Sequence, residues 1–598
     1  MSRLENDSHA SNSAFPTPTA TERTRQIEEM EQTGQTGEAG QNQQNQQTEP
    51  SQQTQHTDPS QQTQHTEPSP RRQDNGYLYD SFPVGHVARV RHQGPSGRPQ
   101  IAPTALSAGG KSGGARVLAP DLTRGLLMMI MTLDHASLSL HIWQHGTGRD
   151  SEQDGRVITR WNYTTAYIVR TLTHLCAPGF TFLLGMGVVY LGRSRTKLGW
   201  GSARLARYFA VRCVVLTVVT AVLGLIVTGG KVYFMNAVLF ALAVDYLLAG
   251  LLWLAMDKTE ALLTRILART STRKSWLVGS SNQAAAGEDA DDESIMQPLL
   301  RERREADTSS EAYISSWSIH NAVLLVFGAI AIFWNIWLSD DGGECKSSLS
   351  AASTSAASAA VTVTSPTNPF LRIWFWVMMQ PGSRIMSGFP PMAWLSFALF
   401  GMLYGRIMTA RSWTRQAAVL AHLFAAMVFA IVFVLTRVLE FGNLSTGCLR
   451  TPDQDAHPTR NPYLASPASF FYIVKYPPDV AFFAFTMAGT LLLLALFTAI
   501  PPRIAKRMSM LLDFGTSALF FYVAHMLLLF PLGAVVVMLF GHDTGVPDPM
   551  NPGQSRGVDN LFGYFAFWAL VILLMRPLCA WYSRFKSTKG ADSIWRFF

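Results

Sequence analysis

One apolar stretch, residues 119–140, contains an arginine and a histidine that would lie on the same face of a helix. Arg124 and His135 are 11 residues apart, and 11 steps of 100° make three turns plus about 20°, so about 16 Å would separate them along the axis. A guanidinium group binds anions, and an imidazole can act as a general base or a nucleophile. Asp134 could fix the tautomer of the imidazole, whereas Asp121 lies one turn before Arg124 and could form a structural salt bridge with it. We therefore predict His135 and Asp134 as catalytic residues.

A second polar group lies in the next apolar stretch, residues 168–191. Arg170 and His174 are one helical turn apart, and the run CAPG follows at 176–179. Proline and glycine at membrane depth free backbone groups and usually line a cavity. Because His174 would lie at a depth similar to that of His135, we predict it as a second catalytic residue. Further candidates are His525, for which a core histidine is an equally good interpretation, the loop residues His141 and His145, and Lys475, which could attract an anionic substrate.

Membrane-spanning helices must position these side chains. Hydrophobic residues make up 48% of the 598 residues and charged residues only 15%, which is typical of a polytopic membrane protein. Ionisable groups inside such helices are costly and are functional candidates by default. A helix of about 20 residues crosses the hydrocarbon core. Ten apolar runs are long enough: 119–140, 168–191, 208–228, 233–255, 319–338, 389–406, 416–437, 478–499, 513–540 and 561–583.

Basic residues are distributed among the loops as the positive-inside rule requires. With a cytoplasmic N-terminus, the opposite loops after the third and the ninth run contain only Lys231 and Arg556 as basic residues. The cytoplasmic loops and the C-terminus contain Arg193, Arg195, Lys197, Arg204, Arg207, Arg406, Arg411, Arg415, Arg503, Lys506, Arg507, Arg584, Lys586 and Lys589. The sequence therefore predicts an all-α polytopic membrane protein with about ten transmembrane helices and both termini cytoplasmic. We place it in a eukaryotic endomembrane (endoplasmic reticulum, Golgi, lysosome or vacuole) or in the plasma membrane.

Two polar segments lack long apolar runs. Residues 1–115 are rich in Gln, Thr, Ser and Pro and contain the repeat QQTQHTDPS, QQTQHTEPS, which predicts a disordered low-complexity cytoplasmic tail. Residues 272–316 combine an acidic cluster with the run RERRE, and we predict a disordered cytoplasmic insertion there. The remaining membrane domain would extend over 116–598. The net charge of +8 fits basic cytoplasmic loops, so it does not indicate nucleic-acid binding.

The loops on the predicted non-cytoplasmic side contain three further features. Asn162 and Asn443 begin glycosylation sequons, and Cys345 and Cys448 could pair there. The segment 370–386 is apolar but short and contains Pro381-Gly382, so we predict an interfacial or re-entrant piece. No residue pattern predicts a metal site, a phosphate-binding loop or a dinucleotide fingerprint.

Short motifs in collinear order resemble a known family. They are DxxRG at 121–125, MxxxDHA ending at Ala136, THLCAPGFTFLLGMG at 173–187, FPPMAW at 389–394, KYPPDVAFFAFTMAG at 475–489, FFYVAH at 520–525 and the closing WYSRFK and SIWRFF. Together these motifs resemble the heparan-α-glucosaminide N-acetyltransferase catalytic-domain family, part of a wider transmembrane acyltransferase superfamily. The resemblance spans about 117–598, outside the tail and the insertion.

The resemblance implies acyl transfer from cytosolic acetyl-CoA, a co-substrate and not a bound cofactor, to an amine or hydroxyl of a sugar or other polar acceptor across the membrane. It implies that His135 is the superfamily histidine and that Arg124, with Asp121, contacts the donor, while His141 and His145 match the region of a luminal catalytic histidine. The partners would be acyl-CoA, a glycan-like acceptor and the bilayer, and a homo-oligomer is compatible with the sequence. The alternative function is a multi-pass transporter or flippase, although the sequence shows no repeated halves.

Overall fold

The computed structural model describes residues 117–148, 152–283, 297–339, 368–378, 383–546, 553–590 and 593–596. The predicted tail, the acidic cluster at 288–293 and Cys345 lie outside these residues. Within them, the chain is almost entirely helical. The long helices are α1 (Ala119–Leu140), α2 (Thr164–Thr173), α3 (Cys176–Lys197), α4 (Ser202–Val227), α5 (Leu239–Gln283), α6 (Gln297–Trp337), α8 (Pro391–Ala410), α9 (Arg415–Val438), α12 (Val480–Ala499), α15 (Ala518–Phe540) and α16 (Leu561–Ser587).

Shorter elements connect these helices. They are β1 (Phe234–Asn236), α7 (Pro369–Phe375), β2 (Ile385–Ser387), α10 (Pro452–Asp455), α11 (Pro467–Phe471), α13 (Pro502–Ala505), α14 (Ser509–Thr516), β3 (His542–Asp543), β4 (Arg556–Gly557) and two 3₁₀ turns, Pro462–Leu464 and Ile594–Arg596. Strands β1 and β2 pair in parallel, with Met235 opposite Met386, and β3 pairs antiparallel with β4. The segment predicted as interfacial thus contains one short helix and one short strand.

Nine segments of the described chain are helical and apolar enough to cross a membrane, and they confirm the polytopic all-α fold. The predicted first span, α1, is not among the nine, because Asp121, Arg124 and Asp134 lie within its 22 residues. It nevertheless packs inside the bundle, with Leu122 and Leu127 fully buried. Helix α16 anchors it through hydrogen bonds from Tyr564 Oη and Trp568 Nε1 to α1 carbonyls, at 2.9 and 3.1 Å.

Glycines allow the closest helix crossings in this core. A Cβ atom added at Gly185 of α3 would lie 2.1 Å from the carbonyl oxygen of Ala398 in α8, and one added at Gly401 of α8 would lie 2.1 Å from that of Phe182. The backbones of α3 and α8 therefore touch at a crossing where only glycine fits. Small residues at helix interfaces are a common means of packing in membranes.

Two predicted boundaries differ in the structure. The run 168–191 is a helix interrupted between α2 and α3, at His174 and Leu175, next to Pro178. The insertion 272–316, predicted as disordered, is helical over 272–283 and 297–316, because α5 and α6 extend into it from both sides. Residues 284–296 lie outside the described part of the chain.

The loops that follow α1 and α9 pack together at one end of the bundle. The amide of Ile158 donates to the carbonyl of Cys448 at 2.8 Å, and the carbonyl of Glu152 accepts from the amides of Lys475 and Tyr476 at 3.0 and 3.1 Å. Cys448 is disulfide-bonded. These contacts bring together three distant parts of the sequence, around residues 152–158, 448 and 475–476.

Candidate functional site

A buried ion cluster joins α1, α2 and the loop between them. The guanidinium group of Arg170 donates from Nη1 to both oxygens of Asp134, at 3.0 and 3.1 Å, and from Nη2 to Glu152 Oε2 at 2.8 Å. Thr173 donates a further hydrogen bond to Asp134 at 3.2 Å. Burial by itself would raise the pKa of Glu152, but Arg170 outweighs it and holds that pKa well below its ordinary value. Asp134 and Glu152 are thus counterions of Arg170.

His145 and His174 both contact this ion cluster, and His174 is part of the buried core. Arg170 Nη1 lies 2.8 Å from His145 Nε2, and since a guanidinium can only donate, that imidazole nitrogen must accept. Burial and the charge of Arg170 lower the pKa of His145 to about 3. His174 is fully buried, with Nε2 at 3.6 Å from Glu152 Oε1. His174 thus contacts the ion cluster through Glu152 and does not line the cavity described below. A catalytic role for His174 stays a prediction.

His135 belongs to a second arrangement, with a partner on a helix 390 residues further along the chain. Its Nδ1 lies 2.7 Å from Nε2 of His525 in α15, and Nδ1 of His525 lies 3.0 Å from the carbonyl oxygen of Phe521. A carbonyl only accepts, so His525 Nδ1 must carry the proton and, in the neutral ring, its Nε2 must accept. His135 then donates from Nδ1, and its own Nε2 is the unprotonated nitrogen. Asp134, predicted to fix this tautomer, binds Arg170 instead.

A cavity of about 1110 Å³ opens beside this histidine pair. Its lining includes His135, His141, His145, Lys475 and Asp134, together with other polar side chains and many apolar ones. Nδ1 of His141 contacts the carbonyl oxygen of Arg556 at 3.0 Å. The Nε2 atom of His135 forms no hydrogen bond with any residue that the structure describes.

Lys475 is a buried charged side chain in the cavity wall. Its Nζ lies over the rings of Phe389 and Tyr476, 5.5 and 5.2 Å from their centroids. No described residue accepts a hydrogen bond from this ammonium group or forms an ion pair with it. A buried cation that faces a cavity in this way favours an anionic ligand.

The predicted donor-binding pair lies away from this cavity. Arg124 Nη1 donates to Asp121 Oδ1 at 3.1 Å and to the carbonyl oxygen of Gly515 at 3.3 Å, and neither side chain lines the cavity. The structural salt bridge considered from the sequence is therefore present, and it also fastens α1 to α14. A donor-binding role for Arg124 stays a prediction.

Both predicted glycosylation sites have their amide nitrogens engaged. Asn162 Nδ2 donates to the carbonyls of Gln144, Gly146 and Gly148, at 3.0, 2.6 and 3.0 Å. Asn443 is buried and donates to the carbonyl of Thr436 at 2.9 Å. A glycan on either nitrogen would break these bonds, which argues against modification of the folded protein.

The roles of two residues of the buried ion cluster, Glu152 and Arg170, are not predicted from the sequence. Glu152 is one of several acidic residues in a polar loop, so nothing in its sequence neighbourhood marks it as buried. From the sequence, Arg170 is predicted only to lie one helical turn from His174. A buried arginine needs counterions, and Asp134 is a carboxylate predicted at a similar membrane depth. Among the described residues, no group of three or more His, Cys, Asp and Glu side chains could hold a metal ion.

Comparison with known proteins yields no match for this chain, either to a family model or to a curated protein sequence. The resemblance to the heparan-α-glucosaminide N-acetyltransferase family therefore stays a prediction based on the motifs quoted above.

Proposed function

We propose that the protein is a membrane-bound acyltransferase in which His135 is the general base. The observation that carries this proposal is the chain of hydrogen bonds from His135 through His525 to the Phe521 carbonyl. It leaves Nε2 of a cavity-lining imidazole unprotonated, which is the state that a general base needs before the reaction. The resemblance supports acetyl-CoA as the donor and a hydroxyl or amine as the acceptor.

The proposed step is the transfer of the acetyl group from the thioester of acetyl-CoA to an acceptor hydroxyl. An acceptor hydroxyl in the cavity donates its hydrogen bond to His135 Nε2. As its oxygen attacks the thioester carbonyl carbon, the proton passes to Nε2 and the carbon–oxygen bond forms. The carbon–sulfur bond then breaks, and the thiolate of CoA takes the proton from the imidazolium. His525 supports the base because its Nε2 accepts from Nδ1–H of His135 throughout and stabilises the imidazolium that forms.

The other polar groups are less suited to this task. His145 Nε2 is occupied by Arg170, and His174 is enclosed without access to the cavity. The carboxylates of Asp134 and Glu152 are held by the same guanidinium group. His141 also lines the cavity, but its Nδ1 forms an exposed contact with a backbone carbonyl and not with a second, buried imidazole. We therefore propose His135, with its partner His525, as the base.

The test compares two substitutions of the base in purified protein given radiolabelled acetyl-CoA. In His135→Asn, the amide nitrogen can occupy the Nδ1 position and still donate to His525, but no base remains. We expect this variant to fold and to lose acetyl transfer by about 10²–10⁴-fold. His135→Gln, which places its amide near the Nε2 position and breaks the link to His525, should lose transfer to a similar extent.

The matched control is His422→Gln. His422 is also a buried histidine in a spanning helix, but it pairs with Tyr404 Oη at 2.6 Å and does not line the cavity. We expect transfer within about twofold of the unmodified protein, because the substitution leaves the base in place. Near-normal transfer by a folded His135→Asn protein would refute the assignment.

A further inference from the structure

The cavity beside His135 is bounded on one side by helices that face the bilayer. Ile226 at the end of α4 and Leu527 and Met538 of α15 line the cavity and are 57%, 40% and 66% exposed. Only 22% of the most apolar stretch of either helix is buried. The cavity therefore has an apolar side formed by α4 and α15, two helices whose apolar surface is mostly uncovered by protein.

The charged side chains of the cavity wall are mostly cationic. Lys231, Lys475 and Arg556 line it against one carboxylate, Asp134, which is already bound by Arg170. Lys231 and Arg556 are exposed, whereas Lys475 is buried. Lys475 is 5% exposed, so its charge is shielded from bulk water and attracts an anion strongly. The site therefore combines a buried cation with an apolar side formed by α4 and α15.

We infer that this cavity binds an anionic membrane phospholipid that has a free hydroxyl in its headgroup, with the headgroup at Lys475 and one acyl chain between α4 and α15. The binding site stands on the cavity alone, whereas acetylation of the headgroup hydroxyl by His135 rests on the proposed function. A water-soluble sugar would leave the apolar side empty, and a neutral lipid would leave the Lys475 ammonium group without a counter-charge. Only an amphiphile with negative charge satisfies both parts of the site.

Photo-crosslinking of the full-length protein in phosphatidylcholine nanodiscs tests this inference. The probe is phosphatidylglycerol with a diazirine near the headgroup end of one acyl chain. We expect it to label Met131 and Phe180, which line the cavity and are only 6% and 8% exposed, so that lipid of the surrounding bilayer does not reach them. Unlabelled phosphatidylglycerol should compete, whereas glycerol 3-phosphate, which has no chain, and phosphatidylcholine, which has no net charge, should not.

Two substitutions separate the two parts of the site, each with a matched control. Lys475→Gln should weaken labelling by about tenfold or more, as expected for the loss of one charged hydrogen bond. Lys589→Gln should not, since Lys589 also lies over a ring, that of Phe585 at 4.4 Å, but does not line the cavity. Leu527→Trp should obstruct the apolar side and reduce labelling, unlike Leu492→Trp, whose side chain is 51% exposed on α12 and does not line the cavity.

Labelling restricted to outward-facing residues, equal competition by glycerol 3-phosphate or phosphatidylcholine, or labelling that neither Lys475→Gln nor Leu527→Trp reduces would overturn the inference. The assay contains no acetyl-CoA, so its result does not depend on catalysis. Labelling that depends on Lys475 in a protein that transfers no acetyl group would refute the proposed function and leave the lipid site standing.

Discussion

At the scale of single residues, the protonation pattern of two histidines decides which nitrogen can act. His135 and His525 are nearly coplanar, with 6° between their ring planes, and the Phe521 carbonyl fixes the direction of both hydrogen bonds. A histidine adopts the tautomer that its partners impose. In the proposed mechanism, His525 is therefore a positioning residue, because it would reach the reacting atoms only through His135.

This role predicts that substitutions of His525 differ according to their hydrogen-bonding atoms. His525→Gln can place its amide oxygen near the Nε2 position and accept from His135, so we expect it to keep most of the transfer activity. His525→Ala removes the acceptor, and we expect a loss of about 10–100-fold, the range seen when the partner of a metal-bound histidine is removed. Turnover at saturating acetyl-CoA is the measurement.

The pH profile distinguishes this positioning role from a merely structural one. In His525→Ala, the tautomers of His135 are no longer fixed, so the pH dependence of turnover should change as well as its maximum. Loss of activity in His525→Gln equal to that in His525→Ala, or a profile that neither variant changes, would contradict the predicted role.

The lowered pKa of His145 leads to a prediction of how acid affects the stability of the folded protein. Its pKa is about 3 in the folded protein because of burial and Arg170, against an ordinary value of 6.5. The unfolded chain therefore binds more protons between these two values, so stability is fully present above pH 6.5 and falls as the pH drops through this window. We expect His145→Gln, whose amide oxygen can still accept from Arg170, to lose less melting temperature than the unmodified protein between pH 7.5 and pH 5.

The matched control for this titration is His542→Gln. His542 is exposed and pairs with Asp559 at 3.3 Å on the surface. Its substitution leaves the buried ring of His145 in place, so the acid-dependent loss of melting temperature due to His145 should persist. A loss equally steep in His145→Gln would show that this ring does not contribute to the acid sensitivity.

At the scale of elements, helix crossings are set by glycines whose backbone meets another backbone. Gly185 faces α8, where an added Cβ would meet the Ala398 carbonyl, whereas Gly187, two residues later on the same helix, has nothing within 4 Å. We expect Gly185→Ala to lower the melting temperature, because the two helices must separate. Gly187→Ala should raise it slightly, since alanine is the better helix former by about 1 kcal/mol.

Thermal unfolding in detergent, followed by size-exclusion chromatography, measures both variants under the same conditions. Equal melting temperatures for Gly185→Ala and Gly187→Ala would show that α3 and α8 do not cross as closely as the structure has them. Both glycines lie on one helix, so differences in helix propensity cancel in this comparison.

The elements also show what could be predicted from the sequence. Apolar runs predict the spans well, because burial in lipid demands continuous hydrophobicity; Val480–Ala499 matches its predicted run within two residues. For residues 297–316 the prediction of disorder is wrong. Their polar composition indicates only that they lie outside the membrane, and it is equally compatible with a helix that continues beyond the bilayer. The contact between His135 and His525 depends on how α1 packs against α15, and no local pattern determines that packing.

At the scale of the whole molecule, the cavity lies towards the end of α1 that holds His135, away from the Arg124 end. Lys475, His141 and Arg556 belong to that same end through their contacts with the loops and β4. The predicted cytoplasmic residues Arg193 and Arg406 instead form contacts elsewhere, with the Thr409 carbonyl and with Glu260. The cavity and the basic ends of the helices therefore lie at different ends of the bundle. Which end is cytoplasmic is predicted from the distribution of charge in the sequence.

That distribution predicts the sidedness of the protein. Basic residues are retained on the cytoplasmic side, and the short loops after α3, α8 and α12 and the end of α16 are all basic. We therefore expect a C-terminal epitope tag to be digested when protease is added to sealed vesicles whose cytoplasmic face is outward. A tag inserted at Asn551, in the acidic connection between α15 and α16, should survive until detergent opens the vesicles. The end of the cavity that holds His135 would then lie in the luminal half of the membrane, and the resemblance places the acceptor on that side. A protected C-terminal tag together with a digested tag at Asn551 would invert the protein, and His135 would then face the cytoplasmic half of the membrane.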